Sequence, residues 1–128
     1  MQTKPLILLI EDNDLDADML SRRLSRRGYE VIAAPDGETG VAMAEVRRPA
    51  LVIMDMGLPG IDGWEATRRL KSSPATAAIP VVALTAHAMA EDKSRGLAAG
   101  CDRYETKPLE FDRLIAEMDT LIRKGGSS

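Results

Sequence analysis

The sequence predicts an α/β fold: a five-stranded parallel sheet with strand order 2-1-3-4-5, flanked by five helices. Short aliphatic runs alternate with longer segments of helical periodicity, which is typical of repeated strand–helix–strand units. Three of these runs are apolar without alternation, as expected for strands that helices cover on both faces. The 128 residues are 45% hydrophobic, enough for one core and too few for two ordinary domains. Right-handed crossovers then favour the 2-1-3-4-5 order.

The five predicted strands are the short β-branched or aliphatic runs of the chain. They cover residues 6–10, 30–33, 51–54 and 80–84, with a weaker run at 103–105. The runs that contain Leu6, Leu51 and Val81 have no polar alternation. We therefore expect these three to lie inside the sheet, between two layers of helices.

The first two predicted helices are delimited by glycine, proline and a capping aspartate. Residues 14–27 place Leu15, Met19, Leu20 and Leu24 on one side, which predicts a helix that packs through these residues and stops at Gly28. The second helix begins after Asp36, a possible cap, and has to end before Pro49.

The remaining helices differ in the strength of their signals. Asp62 and Glu65 have the spacing of a capping box, which predicts a third helix that closes before Pro74. Residues 88–100 are rich in alanine and contain Gly96, so we expect a loosely anchored fourth helix. Residues 111–122 repeat apolar side chains at three and four residues over more than three turns. This last segment is the clearest amphipathic helix of the chain.

Composition excludes several classes of function. The chain carries 17 basic and 20 acidic residues, and this net charge of −3 argues against direct binding of bulk nucleic acid. The single cysteine, Cys101, excludes an internal disulfide and a multi-cysteine metal site. The apolar stretch near the amino terminus, residues 6–10, is too short for a signal peptide or a membrane span. We therefore expect a cytoplasmic protein without a membrane partner.

Polar side chains follow four of the predicted strands at their carboxyl ends. In a parallel sheet these ends meet at one edge, where functional groups gather. Three carboxylates at one edge repel each other unless a divalent cation or an ammonium group balances them, and oxygen ligands suit Mg²⁺. The turn after the first strand lacks the paired glycines of a phosphate-binding loop, so we expect this edge to bind a cation. The residues are Glu11, Asp12, Asp55, Thr85 and Lys107.

Asp55 is the best candidate for a reactive group at this edge. A carboxylate can attack phosphorus and form an aspartyl phosphate. The buried strand behind Asp55 fixes its position, whereas Glu11 and Asp12 begin a solvated turn. Lys107 supplies a positive charge and Thr85 a hydroxyl donor, and together they could hold a phosphoryl group.

These motifs together resemble the response-regulator receiver domains of two-component signalling, which have a flavodoxin-like fold. The resemblance spans residues 6 to about 122 and keeps the order of the motifs, with separations of 43, 30 and 22 residues. Within the family the chain is most similar to single-domain cell-cycle regulators and to receiver modules of hybrid histidine kinases. The motifs are Glu11-Asp12, Asp55 with Leu58-Pro59-Gly60 and Asp62-Gly63, Thr85-Ala86, and Lys107-Pro108.

The resemblance implies a phosphorelay function centred on Asp55. This residue would accept a phosphoryl group from a histidine kinase or a histidine phosphotransfer protein. Asp12, Asp55 and the backbone carbonyl of Gly57 would hold Mg²⁺, with Glu11 acting through water. The chain would not be an enzyme in the usual sense, since its chemistry would be limited to magnesium-dependent self-phosphorylation and autodephosphorylation.

The resemblance also implies a switch. Thr85 and Lys107 would contact the phosphoryl oxygens, and the peptide bond before Pro108 would be cis. Tyr104 would turn inward behind Thr85, and this role is favoured over the alternative of a half-buried strand aromatic without it. The face formed by the predicted helix over 88–100, the fifth strand and the last helix would then change its binding of an output partner.

Three further expectations concern lifetime, extent and assembly. Gly57 and His87 occupy positions that tune the lifetime of the aspartyl phosphate in the family, and His87 could also be an exposed loop residue. The receiver domain would cover residues 1–124 and a flexible tail residues 125–128. The protein would be a monomer or weak dimer, either standing alone or excised from a longer regulator.

Two other classes of function compete with this interpretation. A hydrolase or phosphatase with an aspartyl nucleophile would usually need a second acid two residues on, and Gly57 in that position argues against it. A pseudo-receiver, acting only as an interaction module, would not need the complete set of acceptor residues.

Overall fold

The computed structural model describes residues 4–86 and 100–126, in which five strands and four helices follow one another. The elements are β1 Leu6–Ile10, α1 Asp14–Arg26, β2 Glu30–Ala34, α2 Gly37–Arg47, β3 Leu51–Asp55, α3 Gly63–Ser72, β4 Val81–Thr85, β5 Arg103–Thr106 and α4 Phe111–Gly126. The predicted helix over residues 88–100 lies outside the described residues except for Gly100, and His87 lies outside them as well.

All five strands are parallel and lie in the order β2-β1-β3-β4-β5, which confirms the predicted topology. The register pairs Asp55 with Leu84 and Thr85 with Thr106. The last residues of β3, β4 and β5 therefore lie side by side at the carboxyl edge of the sheet. This edge carries the candidate site.

The sheet separates two hydrophobic clusters. One contains Val52 and Met54 and packs against α2 and α3, through Ala44 and Leu70. The other lies against α1 and α4 and includes Ile53. Alternate residues of β3 thus enter different clusters, and all five of its residues are buried. This arrangement explains why the strand sequence is apolar without alternation.

The apolar side of α1 was predicted only in part. Leu24 is fully buried and Leu20 packs against the second cluster, but Leu15 is 75% exposed and Met19 is 61% exposed. The prediction that α1 packs through Leu15, Met19, Leu20 and Leu24 is therefore wrong for Leu15 and Met19. Since α1 begins at the carboxyl end of β1, its first turns lie at the edge of the sheet, where less core is available to cover them.

Two helix caps were predicted correctly, but the capping box is only half formed. Oδ1 of Asp36 accepts a hydrogen bond from a backbone N–H of the first turn of α2, and Asp62 caps α3 by accepting from the Glu65 N–H at 2.9 Å. The Glu65 carboxylate binds Arg68 and Arg69 instead of returning to the cap. Two arginines within one turn of Glu65 outcompete the backbone N–H for this carboxylate.

The last helix is longer than the sequence suggested. It continues to Gly126, two residues beyond the predicted end of the domain, and residues 127–128 lie outside the described part of the chain. Among the described helices, none combines the length and the apolar character that a membrane crossing requires.

Candidate functional site

The structure brings three carboxylates together at the carboxyl edge of the sheet. Glu11 directly follows β1 and is 7% exposed, while Asp55 ends the adjacent β3 and is 8% exposed. Asp12 is exposed beside them. One oxygen of each carboxylate lies within 4.8 Å of the others. Neighbouring parallel strands therefore produce the acidic cluster that the sequence predicted.

The surroundings of Glu11 change the pKa of its carboxyl group. Its backbone N–H donates to the Ala34 carbonyl at 3.0 Å, and its Oε2 accepts from the Asn13 N–H at 3.2 Å. Burial, followed by the hydrogen bond with the Asp55 carboxyl group, raises the pKa of Glu11 to about 7. The carboxyl group of Glu11 is therefore costly to ionise where it lies, and a bound cation would reduce that cost.

Lys107 contributes the nearby positive charge. Its Nζ lies 3.7 Å from Oε1 of Glu11 and 3.7 Å from Oδ1 of Asp55. The backbone N–H of Lys107 donates to the Thr85 carbonyl at 2.7 Å, which extends the β4–β5 pairing by one residue. The Lys107–Pro108 peptide bond is cis, as the resemblance implied. The chain thus turns away from the sheet directly after the lysine.

The loop after Asp55 is held close to the start of α3. The Gly57 N–H donates to Oδ1 of Asp55 at 3.1 Å, and the Met56 N–H donates to the Leu84 carbonyl at 2.9 Å. A Cβ at Gly63 would lie 2.7 Å from the Asp55 carbonyl oxygen and 2.6 Å from the Met56 sulfur. Only glycine allows α3 to begin this close to the loop that follows Asp55.

Thr85 and Tyr104 occupy adjacent strands next to the acidic cluster. Thr85 ends β4 and is 3% exposed. Tyr104 is half-buried and packs against the hydrophobic cluster that includes Leu70. The predicted group of Glu11, Asp12, Asp55, Thr85 and Lys107 therefore lies at one edge of the sheet.

Two features of this edge were missed at the level of sequence. Asn13 caps α1 by accepting from the Asp16 N–H and also donates its backbone N–H to Glu11. Its position directly before the helical periodicity was the available signal. A cavity of about 370 Å³ opens beside Glu11 and Lys107, with Met19 of α1 in its wall. No local pattern predicts that cavity, because its walls come from distant parts of the chain.

Comparison with known proteins identifies the class. The sequence profile described as "Response regulator receiver domain" matches residues 7–119. The chain therefore belongs to the receiver-domain family of two-component response regulators. Receiver domains of this family bind Mg²⁺ at an acidic pocket and receive phosphoryl groups from histidine kinases.

Individual relatives differ in length. The dual master transcriptional regulator RpaA of Synechocystis is 38% identical over 120 residues, which cover 94% of this chain and 50% of RpaA. The chain thus spans about half the length of the curated relatives that it matches first. Protein PilH of Pseudomonas aeruginosa is 34% identical over 116 residues, covering 91% of this chain and 96% of PilH.

A solved receiver domain supports the fold in detail. The receiver domain of the sensor histidine kinase PA1611 from Pseudomonas aeruginosa superimposes with a TM-score of 0.87 at 34% identity. The match covers 93% of this chain and 98% of that one. That domain was solved with a magnesium ion coordinated in its active-site cleft.

Proposed function

We propose that the chain is a phosphorelay receiver in which Asp55 accepts a phosphoryl group from a histidine kinase or a histidine phosphotransfer protein. The observation that carries this proposal is the position of the Asp55 carboxylate. It ends a fully buried strand, and it lies 3.7 Å from the Lys107 ammonium group and beside the Glu11 and Asp12 carboxylates. A fixed nucleophile with a cation next to it suits transfer to phosphorus.

The transfer requires one oxygen of Asp55 to form a bond to phosphorus while the donor's phosphorus–nitrogen bond breaks. The electron pair of that bond leaves with the donor's imidazole nitrogen. The Gly57 N–H donates to Oδ1 of Asp55, and the Lys107 ammonium group also lies next to Oδ1. We therefore assign the attack on phosphorus to Oδ2. Lys107 and Thr85 would then hold the phosphoryl oxygens, over which the negative charge of the transition state is spread.

The donor set of the site fits Mg²⁺. Asp12, Asp55 and the backbone carbonyl of Gly57 would hold the ion, and Glu11 would act through water. Carboxylate and carbonyl oxygens are its preferred ligands, and three carboxylates lie together at this edge of the sheet. Bound Mg²⁺ would neutralise charge on the carboxylates and on the incoming phosphoryl group. The magnesium ion in the PA1611 receiver supports the assignment.

Phosphorylation would be read on the face that includes β5 and α4. A phosphoryl group brings up to about two negative charges next to Thr85, which can bias a two-state loop. Tyr104 would change its packing behind Thr85, and residues 88–100 would complete the output face. Gly57 and His87 would tune how long the phosphate survives. Family membership supports a cytoplasmic location, and we expect a monomer or weak dimer with a partner that distinguishes the two states.

Intact mass spectrometry tests the acceptor directly. The chain is incubated with Mg²⁺ and acetyl phosphate, and the wild type is expected to gain one phosphoryl group that hydroxylamine removes, as an acyl phosphate requires. Asp55→Asn is expected to gain none. Asp62→Asn is the matched control, because asparagine also caps a helix and should leave uptake unchanged. Uptake by Asp55→Asn at the wild-type level would refute the proposal.

A further inference from the structure

A second group of charged side chains lies between β5 and α4, and the proposed phosphoryl transfer does not use it. Its centre is Glu105, which is only 4% exposed. Nε and Nη2 of Arg113 both lie 3.0 Å from Oε1 of Glu105. The strand and the helix are therefore joined by a charge-assisted contact in which one oxygen of the buried carboxylate receives both donors.

Glu117 brings a second carboxyl group to the same place. It lies one turn after Arg113 on α4, close enough to the Glu105 carboxyl group for a hydrogen bond to form when one of the two is protonated. Oε2 of Glu117 is buried and has no hydrogen-bond partner among the described residues. Two ionised carboxylates have no proton to share, so this contact forms only when one proton is held by the pair.

The charges around Glu117 come from the two elements that form the contact. Among the described residues these are Glu105 and Arg103 of β5 and Arg113 of α4. Burial, followed by the hydrogen bond with Glu105, raises the pKa of Glu117 to about 7. The two arginines oppose this rise, and Arg103 is partly engaged elsewhere, donating from Nη1 to the Asp102 carbonyl at 2.9 Å.

We propose that Glu105 and Glu117 form a pH-dependent contact that holds α4 on β5 while they share a proton and loosens when both are ionised. The proton leaves to solvent, and the two carboxylates that remain repel each other beneath the helix. Lys107 of the candidate site lies only two residues after Glu105, directly after the end of β5. The contact between Glu105 and Glu117 is therefore next to the candidate site in the chain. The proposal does not depend on phosphorylation of Asp55.

The sign of the effect follows from the two states of the chain. In the unfolded chain Glu117 titrates near 4.5, whereas the folded state retains its proton up to about pH 7. The stabilising contribution is therefore complete below about pH 4.5 and is lost as the pH rises through about 7. Around neutral pH, alkalinisation weakens the attachment of α4.

Carbon-detected NMR of the glutamate carboxyl groups tests the titration in the wild-type chain without Mg²⁺. Assigned resonances are followed through the pH range. We expect the Glu117 carboxyl carbon to titrate with a midpoint near 7 and the Glu105 resonance to respond at the same pH. A Glu117 midpoint near 4.5 would overturn the proposal.

Amide hydrogen exchange of α4, corrected for intrinsic exchange rates, tests whether the helix is held less firmly at high pH. Wild-type protection should fall by up to about tenfold between about pH 6 and about pH 8. Glu117→Gln supplies a neutral donor of the same shape, so its protection should stay at the low-pH value. Glu110→Gln removes an exposed carboxylate directly before α4 and should behave as wild type. Retention of the wild-type pH dependence in Glu117→Gln would contradict the proposal.

Discussion

Lys107 places one positive charge close to both buried acids of the site. Its ammonium group lies 3.7 Å from an oxygen of Glu11 and 3.7 Å from an oxygen of Asp55. At about 4 Å two opposite unit charges attract by about 1 kcal/mol even in water. Lys107 would therefore compete with a cation for the same oxygens, although the proposed phosphorylated state would need its charge.

Replacing Lys107 by alanine should separate these two roles. Without the ammonium group the carboxylates should bind Mg²⁺ about fivefold more tightly or better, since about 1 kcal/mol of competition is removed. Phosphoryl uptake from acetyl phosphate should fall, because the developing negative charge loses its partner. Calorimetry measures the first effect and intact mass the second. Lys4→Ala, an exposed lysine at the opposite end of β1, should change neither.

Gly63 is a residue at which one methyl group should disturb the site. A Cβ there would lie 2.7 Å from the Asp55 carbonyl oxygen and 2.7 Å from the Met56 Cα, both in the backbone. We expect Gly63→Ala to destabilise the chain by about 2 kcal/mol in urea unfolding and to reduce phosphoryl uptake. At Gly57 an added Cβ would meet only Oδ1 of Asp55, at 3.8 Å. Gly57→Ala should therefore stay within about 0.5 kcal/mol of wild type.

At the scale of elements, a lysine ties α3 to the segments that flank β4. Nζ of Lys71 donates to the carbonyl of Ile79 at 2.7 Å and to Oδ2 of Asp102 at 3.1 Å. The same Asp102 oxygen accepts the Val81 N–H at 2.7 Å. Gly100, with a φ of +107°, lets the turn before β5 approach Lys71, since a Cβ would lie 2.8 Å from its Cγ. One cation thus balances the charge of the Asp102 carboxylate and also donates to the Ile79 carbonyl.

Lys71→Met should reveal the strength of this connection. The substitution keeps most of the apolar stem but removes the cation beside the Asp102 carboxylate and the donor to two backbone carbonyls, which should cost about 2 kcal/mol in urea unfolding. The Val81 amide should exchange faster with solvent. Arg68→Met on the same helix removes an exposed ion pair and should cost less than about 1 kcal/mol. Equal losses for the two variants would show that the contacts of Lys71 add nothing specific.

The elements themselves were largely predictable from sequence. The strand order followed from the alternation of apolar runs and helices, and the position of Asp55 next to Glu11 followed from that order. Proline and aspartate at the helix ends placed the boundaries close to where they lie, as Asp36 and Asp62 show. These features depend on local sequence and on the few ways in which parallel strands can be connected.

Contacts between distant side chains were not predictable in the same way. Lys71 meets Asp102 across 31 positions, and Glu105 meets Glu117 from a strand to a helix. The periodicity of apolar residues predicts helices and strands but does not indicate which charged side chains contact each other. The exposure of Met19 was missed for a related reason. An apolar pattern on one side of a helix does not indicate where the sheet beneath that helix ends.

At the scale of the whole molecule, the core and the site make opposite demands. Strand β3 supplies the buried centre of the sheet and ends in Asp55, which lies beside two other carboxylates. The Tyr29 hydroxyl donates to Asp119 and ties the start of β2 to α4. The fold therefore tolerates the mutual repulsion of three carboxylates at one edge of the sheet. A chain without a functional site at this edge would have no reason to keep them together.

This repulsion leads to a prediction for the stability of the entire chain. Without Mg²⁺, Asp12→Asn should be more stable than wild type, because it removes one of three neighbouring carboxylates. With Mg²⁺ at about 100 times its dissociation constant, wild type should gain about 2.7 kcal/mol, since the ion binds only the folded state. Asp12→Asn should gain much less. Thermal and urea unfolding, with EDTA or with Mg²⁺, measure all four states.

Asp14→Asn provides the control for this comparison. Asp14 is exposed in the first turn of α1, two residues after Asp12, but it does not belong to the acidic cluster. The variant should keep the full stabilisation by Mg²⁺, because the ion's ligands are unchanged. If Asp12→Asn were less stable than wild type in EDTA, its carboxylate would be a structural group. If Mg²⁺ stabilised Asp12→Asn as much as wild type, the ion would bind elsewhere. The expected pattern, in which loss of the ligand stabilises the metal-free chain and abolishes the response to metal, requires a carboxylate that the fold maintains for the cation.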